Sequence, residues 1–544
     1  MTNYSTIAHG SASGGVSGRN MAPQRRGRIS KDGGGQASMM SSSINLLNTI
    51  IGAGTLAMPL AMSHFGVMLG VMLILWCGMT SALGLYLQAR CARYLDRGTS
   101  SFFALSQMTY PNAAVVFDAA IAIKCFGVGV SYMIIIGDLM PGVAEGFDSR
   151  ATQISFLMNR NFWVTAFLLF FIVPLSFPKK LDSLKYTSVV ALVSIGYLII
   201  LVVFHFAADS IPQRGEIHVI TWEGPVAALS SLPVVIFAYT CHQNMFSILN
   251  EIKDNSAGSI VGVIGSSIGS AASIYVLVAI TGYLTFGDHV VGNIVSMYPP
   301  SAASTIAKAA IVVLVTFSIP LQIHPCRASI DAVLKWRPGK NPRSLTGNGG
   351  HMSSSGNQPL LPSSNSLGAL DSHGSPAAPM SDLRFALITS AILVLSYITA
   401  LNVSSLDRVL AYVGSTGSTS ISFILPGLFY YKISDPNSIH HQRLTKEDDD
   451  ADTPENSGGE DGFEPSVSAL LGSVDGLHSA TVAGSGAGPR SRSRWRWRWR
   501  RKWRWDLEHL ETGFLRKLSL CLAIYGFCVM AVCLVMNTFF IVAH

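Results

Sequence analysis

The sequence predicts an all-α polytopic membrane protein of eleven transmembrane helices, and three observations lead there. Of 544 residues, 49% are hydrophobic and only 13% are Asp, Glu, Lys or Arg, about half the charged share of an ordinary soluble domain. Apolar stretches of about 17 to 25 residues, enough to cross a hydrocarbon core as helices, recur along the chain. They are also too many to hide in a soluble core, because the polar shell needed to cover them is missing.

The predicted spans are 42–62, 67–88, 118–140, 161–178, 186–207, 226–249, 259–284, 304–324, 384–402, 408–430 and 518–541. They divide the chain into a disordered cytosolic tail (1–40), helices one to eight (41–330), a disordered loop (331–383), helices nine and ten (384–431), a second disordered loop (432–515) and the last helix (516–544). Gly, Ser, Pro and Asn dominate the tail and much of the loops, leaving too little apolar surface to offset the entropy of ordering. The N-terminus lacks a secretory signal's short apolar segment and cleavage site, so the first helix is expected to direct insertion and remain.

Lys and Arg fix the expected orientation. With a cytosolic N-terminus, the cytosolic connections hold Arg90, Arg93, Arg97, Lys179, Lys180, Lys185, Lys253, Arg327, Lys335, Arg337, Lys340 and Arg343, against Arg150, Arg160 and Arg214 on the far side. That asymmetry follows the positive-inside rule. The eight cysteines lie in or beside spans without zinc-ligand spacing and read as small apolar fillers.

Residues 494–505 read RWRWRWRRKWRW. If extended, this period of two places indoles on one face and cations on the other, which suits anionic lipid headgroups. Compositional bias without structure is the plainer reading. Nucleic acid is not an expected partner, because no supporting fold accompanies the segment.

The first span carries groups that lipid cannot satisfy. Asn45, Asn48, Gly52 and Thr55 share much of one helical face, and Gly52 and Gly54 bracket Ala53, so the backbone can leave the helical path or approach a ligand closely. An opened turn exposes amides and carbonyls useful to a bound solute, while a glycine-lined helix crossing is the plainer alternative. The sixth span repeats the pattern with Pro233 followed by Phe237, Ala238, Tyr239, Thr240, Cys241, His242, Gln243 and Asn244. A second interruption five helices after the first is what two inverted five-helix repeats, with broken first and sixth helices, would produce.

Other polar positions have two readings each. His242 is a candidate for proton coupling or a structural hydrogen-bonding residue. Ser318, before Pro320, faces an ion or satisfies its own helix. Lys124 anchors the third span by snorkelling or serves as a gate. Gly262, Ser266, Gly269 and Ser273 form a small-residue stripe suited to helix packing; the hydroxyl-rich 414–420 run has no assignable role. The intramembrane polar residues assemble no nucleophile, acid and metal set, so the sequence does not read as an enzyme.

NTIIGAGTLAMP at 48–59, KCFGVGVSY at 124–132, FAYTCHQN at 237–244 and FSIPLQIHPCR at 317–327 together resemble the amino acid/auxin permease superfamily, especially sodium-coupled neutral amino acid transporters and fungal vacuolar amino acid transporters. The resemblance covers about residues 40–330 and 380–541. It implies eleven helices, the first ten in two inverted halves, and a secondary active transporter working by alternating access without a cofactor. By that resemblance Asn48, Ile51, Gly52, Ala53, Gly54, Thr55, Phe237, Tyr239 and Thr240 bind the amino acid substrate. Lys124, His242, Asn48 and Ser318 are the candidates for ion coupling or gating; by the resemblance Ser318 matches a family sodium-site position, which makes Asn48 and Ser318 the candidate sodium ligands. Ser318 stands where the family has threonine, and the fungal relatives favour protons, so the coupling ion is H+ or Na+. Neutral amino acids are the expected substrates and the vacuolar membrane the expected site, with the plasma membrane as alternative. A nutrient sensor signalling through its cytosolic tails is the competing function.

Overall fold

The computed structural model describes residues 35–95, 98–178, 187–208, 214–221, 224–335, 380–438, 441–442 and 490–543, without side-chain detail at 187–189, 490–512 and 540–543. The helices are α1 (Met39–Ile50), α2 (Ala53–Ser63), α3 (Gly66–Ala92), α4 (Phe102–Thr109), α5 (Ala114–Phe147), α6 (Arg160–Phe167), α7 (Val173–Ser176), α8 (Thr187–Ala207), α9 (Pro225–Ala238), α10 (His242–Glu251), α11 (Ala257–Phe286), α12 (Ile294–Met297), α13 (Ala302–Lys335), α14 (Asp382–Asn402), α15 (Leu406–Val413), α16 (Leu425–Ile433) and α17 (Arg490–Ala543). Of the stretches expected to be disordered, 1–40, 331–383 and 432–515, the parts 1–34, 336–379 and 443–489 lie outside the described residues, while α1, α13, α14, α16 and the last helix reach into the remainder. Among the described residues β-structure is limited to one bridge, Ala37 with Ile252.

Local chemistry sets several boundaries. Ser38, Ser101 and Ser256 are extended residues whose hydroxyls accept from Ser41, Ala104 and Ser259 amides, capping α1, α4 and α11. Gly287 ends α11 at φ 60°, a left-handed conformation that glycine adopts without a Cβ penalty.

The helix inventory corrects the expected fold. Among the described residues eight helices are long and apolar enough to cross a membrane, or nine if the bent α1–α2 pair is one span. Eleven spans, and with them two inverted five-helix halves, do not follow. The fourth expected span is a shorter apolar helix, Arg160–Ser176, with a π turn at Leu168–Ile172. The tenth is split: α15 and α16 are short, and between them lie two π turns, Gly414–Ser418 and Ser420–Ile424. A hydropathy window registers apolar length and is blind to such changes of winding.

Two hydrophobic clusters hold the helices. One gathers residues of α5, α8, α13, α14 and α15, such as Ile134, Leu198, Ile311, Ile392 and Leu410. The other gathers residues of α3, α10, α11, α16 and α17, such as Leu85, Met245, Val263, Phe429 and Leu522. α2 and α9 belong to both: Ala53, Leu56, Ala57, Val234 and Phe237 pack into the first, and Met58, Met62, Val235, Ile236 and Tyr239 into the second. The interrupted helices therefore run along the seam between two packed bodies.

Candidate functional site where two interrupted helices meet

The first interruption falls at Ile51 and Gly52. Ile51 closes α1 by donating its amide to the Leu47 carbonyl at 2.9 Å, Gly52 is extended, and α2 departs at 59° to α1. The first amides of a helix have no intrahelical carbonyl. Thr55 N–H turns back onto Gly52 O at 3.0 Å, which leaves the Gly52, Ala53 and Gly54 amides at the positive end of α2.

The second interruption repeats the construction. α9 ends at Ala238, where Thr240 N–H bonds Phe237 O at 3.0 Å, and α10 starts at His242, where Asn244 N–H bonds Cys241 O at 3.0 Å. Thr240 Oγ1 donates to Ile236 O at 2.9 Å and accepts from Ser422 Oγ at 3.3 Å. Phe237, Tyr239 and Thr240 are all buried. The interruptions touch: a Cβ on Gly54 would lie 2.5 Å from the Ala238 Cβ, so the first turn of α2 packs directly on the last turn of α9. By contrast a Cβ on Gly52 would meet only Tyr132 Oη, at 3.6 Å.

Tyr275 joins them. It is fully buried on α11, and its hydroxyl lies 2.8 Å from both the Ile50 and the Ala238 carbonyl oxygens. Its ring stands edge-on to Tyr239, 5.1 Å between centroids. The sequence reading missed this residue because a lone tyrosine in an apolar helix carries no signal of its partners, which lie 225 and 37 residues away. Of the small-residue stripe, Ser266 reaches α1, its Oγ donating to Ser43 Oγ at 2.9 Å beside a bond from Ser267 Oγ to Ser43 O at 3.0 Å, whereas Gly269 and Ser273 are exposed. Asn244 Nδ2 donates to Thr49 Oγ1 at 2.9 Å, fastening α10 to α1.

The remaining sequence-selected residues are dispersed around this centre. Lys124 does not snorkel: it is 4% exposed. A Cβ on Gly417 would sit 2.7 Å from Lys124 Cβ, so the first π turn lies against Lys124. His242 is fully buried with its Nε2 over Gly84, and its carbonyl accepts from Gln88 Nε2 at 2.9 Å. Asn48 is half-buried, and Ser318 Oγ donates to Leu314 O at 2.8 Å within its own helix; among the described residues no hydrogen bond joins these two. A cavity of about 210 Å³ runs beside the far halves of α2 and α9, lined by Ala57, His64, Ser231, Val234, Asp407 and Arg408 among others. All eight cysteines are free, six of them buried.

Paired half-helices with free amides at one end and carbonyls at the other form a site for a small dipolar solute. Residues 35–448 match the family model described as transmembrane amino acid transporter protein. The chain is 45% identical over 408 residues to vacuolar amino acid transporter 6 of Saccharomyces cerevisiae, covering 73% of this chain and 90% of that protein. It is 43% identical over 402 residues to vacuolar amino acid transporter 5 of Schizosaccharomyces pombe, covering 74% and 86%. With sodium-coupled neutral amino acid transporter 7 of Danio rerio it shares 25% identity over 309 residues, covering 55% and 65%. The chain belongs to the transmembrane amino acid transporter family, within the amino acid/auxin permease superfamily, and is a secondary active transporter rather than an enzyme.

Proposed function

We propose that this transporter carries neutral amino acids such as glutamine across the vacuolar membrane, outward to the cytosol, by alternating access. The observation that carries the site is the meeting of α2's amino end with the carboxyl ends of α1 and α9 at Tyr275. A zwitterion fits that polarity: its carboxylate is received by the Gly52, Ala53 and Gly54 amides and its ammonium by the carbonyls closing α1 and α9. Asn48, Ile51, Thr55, Phe237, Tyr239 and Thr240 surround these groups in the proposal. The vacuolar assignment rests on the names of the two fungal relatives; the Lys and Arg asymmetry supports a cytosolic N-terminus.

For coupling we favour a proton. Lys124 and His242 are both buried ionisable side chains, and His242 opens α10, so loss or gain of a proton at either changes the charge near the second interruption. Ser318 already spends its hydroxyl proton on Leu314 O, although its oxygen retains lone pairs for sodium with Asn48. Anionic headgroups are the proposed partner of 494–505, which lies in helix α17 and not in the disordered loop expected from composition.

The test is uptake of labelled amino acids by sealed proteoliposomes, with proton and sodium gradients imposed separately. Uptake of neutral amino acids driven by the proton gradient is expected; uptake driven only by sodium would move the coupling site to Asn48 and Ser318, and no uptake of any amino acid would overturn the proposal.

A further inference from the structure

Tyr275 occupies a chemically peculiar position. Two helix carboxyl ends, each carrying partial negative charge, converge on one hydroxyl at 2.8 Å apiece. A phenol has a single proton to donate. At any instant one of the Ile50 and Ala238 carbonyls holds that proton and the other is without it, in a place where Tyr275 is fully buried. A buried carbonyl left short in this way is an acceptor awaiting a donor.

We propose that Tyr275 is a positioning residue for the substrate's ammonium group: its hydroxyl clasps the ends of α1 and α9 at a fixed separation, and its one proton leaves one carbonyl open to the ammonium. This rests on the zwitterion site proposed above. The clasp is built from three elements: α11 brings the hydroxyl, Ser266 and Ser267 fasten α11 to α1 through Ser43, and Gly54 against Ala238 holds α2 on α9. Thr55, on the first turn of α2, is fully buried with its Oγ1 lacking a hydrogen-bond partner.

The test uses the full-length carrier in proteoliposomes, with initial rates of amino acid uptake giving KM and kcat separately. Tyr275→Phe keeps the ring and removes the clasp. Tyr275→4-aminophenylalanine keeps the size and presents two N–H donors, so both helix ends are held and neither carbonyl stays open. For Tyr275→Phe, KM is expected to rise about tenfold with little change in kcat per folded carrier. For the amine variant, thermal stability matches wild type while KM again rises about tenfold. A merely structural tyrosine would be rescued by the amine in both respects. Tyr283→Phe is the control, since that hydroxyl on the same helix serves Asp288 Oδ1 and the His218 amide at 3.0 Å each, and it leaves KM unchanged. If Tyr275→Phe is not recovered folded, the amine variant decides. Wild-type KM in either folded Tyr275 variant, or an equal rise in Tyr283→Phe, overturns the clasp while leaving the transport reading intact; a wild-type carrier that moves no amino acid overturns both.

Discussion

At the scale of single residues, the two glycines of the first interruption have different tasks. Gly54 is the contact between interruptions, since a methyl there would overlap Ala238, whereas a methyl on Gly52 would rest at ordinary distance from Tyr132. Gly54→Ala is therefore expected to destabilise the carrier by about 1–3 kcal/mol through overpacking and to cut uptake more than about tenfold. Gly52→Ala folds as the wild type, so thermal denaturation separates the two variants. Gly52→Val, whose branches enter the space beside the free amides, inserts normally and loses uptake; normal turnover in that variant would remove the solute from this place. The Gly-Ala-Gly pattern made the interruption legible, because a backbone able to leave the helix announces itself in glycine. It did not say which glycine is crowded, since that depends on Ala238, 184 positions away in sequence.

Elements are held by fewer polar ties than their number suggests, and Arg160 at the start of α6 is one that matters. Its guanidinium pairs with Asp138 of α5 at 3.1 Å and donates to the Ala400 and Val403 carbonyls at the end of α14. Those carbonyls have no amide within their own helix. Arg160→Leu is expected to lower stability by about 2 kcal/mol, seen as a lower thermal midpoint in detergent. If the midpoint is unchanged, α14 has another cap. Nine of the eleven expected spans, counting the bent α1–α2 pair as one, were readable because apolar length is a property of composition; the winding that shortened the fourth and split the tenth was not. The π turns at 414–418 and 420–424 arise where hydroxyls of Ser415, Thr416, Thr419 and Ser420 donate to carbonyls of the preceding turn and where Gly414 and Gly417 admit Pro233 and Lys124. Side-chain back-bonding competes with the helical ladder, yet which register wins is set by neighbours contributed from α5 and α9. Tyr275 escaped for the same reason: its meaning lies wholly in its partners.

Across the whole molecule, a few polar ties join helices that are distant in sequence. Ala37 donates to Glu251 O and accepts from the Lys253 amide, both at 2.9 Å, which couples the start of α1 to the end of α10. At another edge Arg384 pairs with Asp331, joining α14 to α13, and Arg516 pairs with Asp435 at 3.0 Å, joining α17 to the segment after α16. Ala37→Pro removes one donor of the first tie, and amide hydrogen exchange over residues 249–256 is expected to speed up by about tenfold with the global midpoint little changed. Unaltered exchange would show that α10 is held elsewhere.

The paired π turns between α15 and α16 carry a consequence for how such a body changes shape. Each accommodates one residue beyond the α repeat, so rewinding one to α pitch turns the downstream half by about 100° and lengthens the rod by about 1.5 Å. Every peptide group finds a carbonyl again in the new register. This rod stores its slack as surplus residues within its turns and not as a break in the hydrogen-bond ladder.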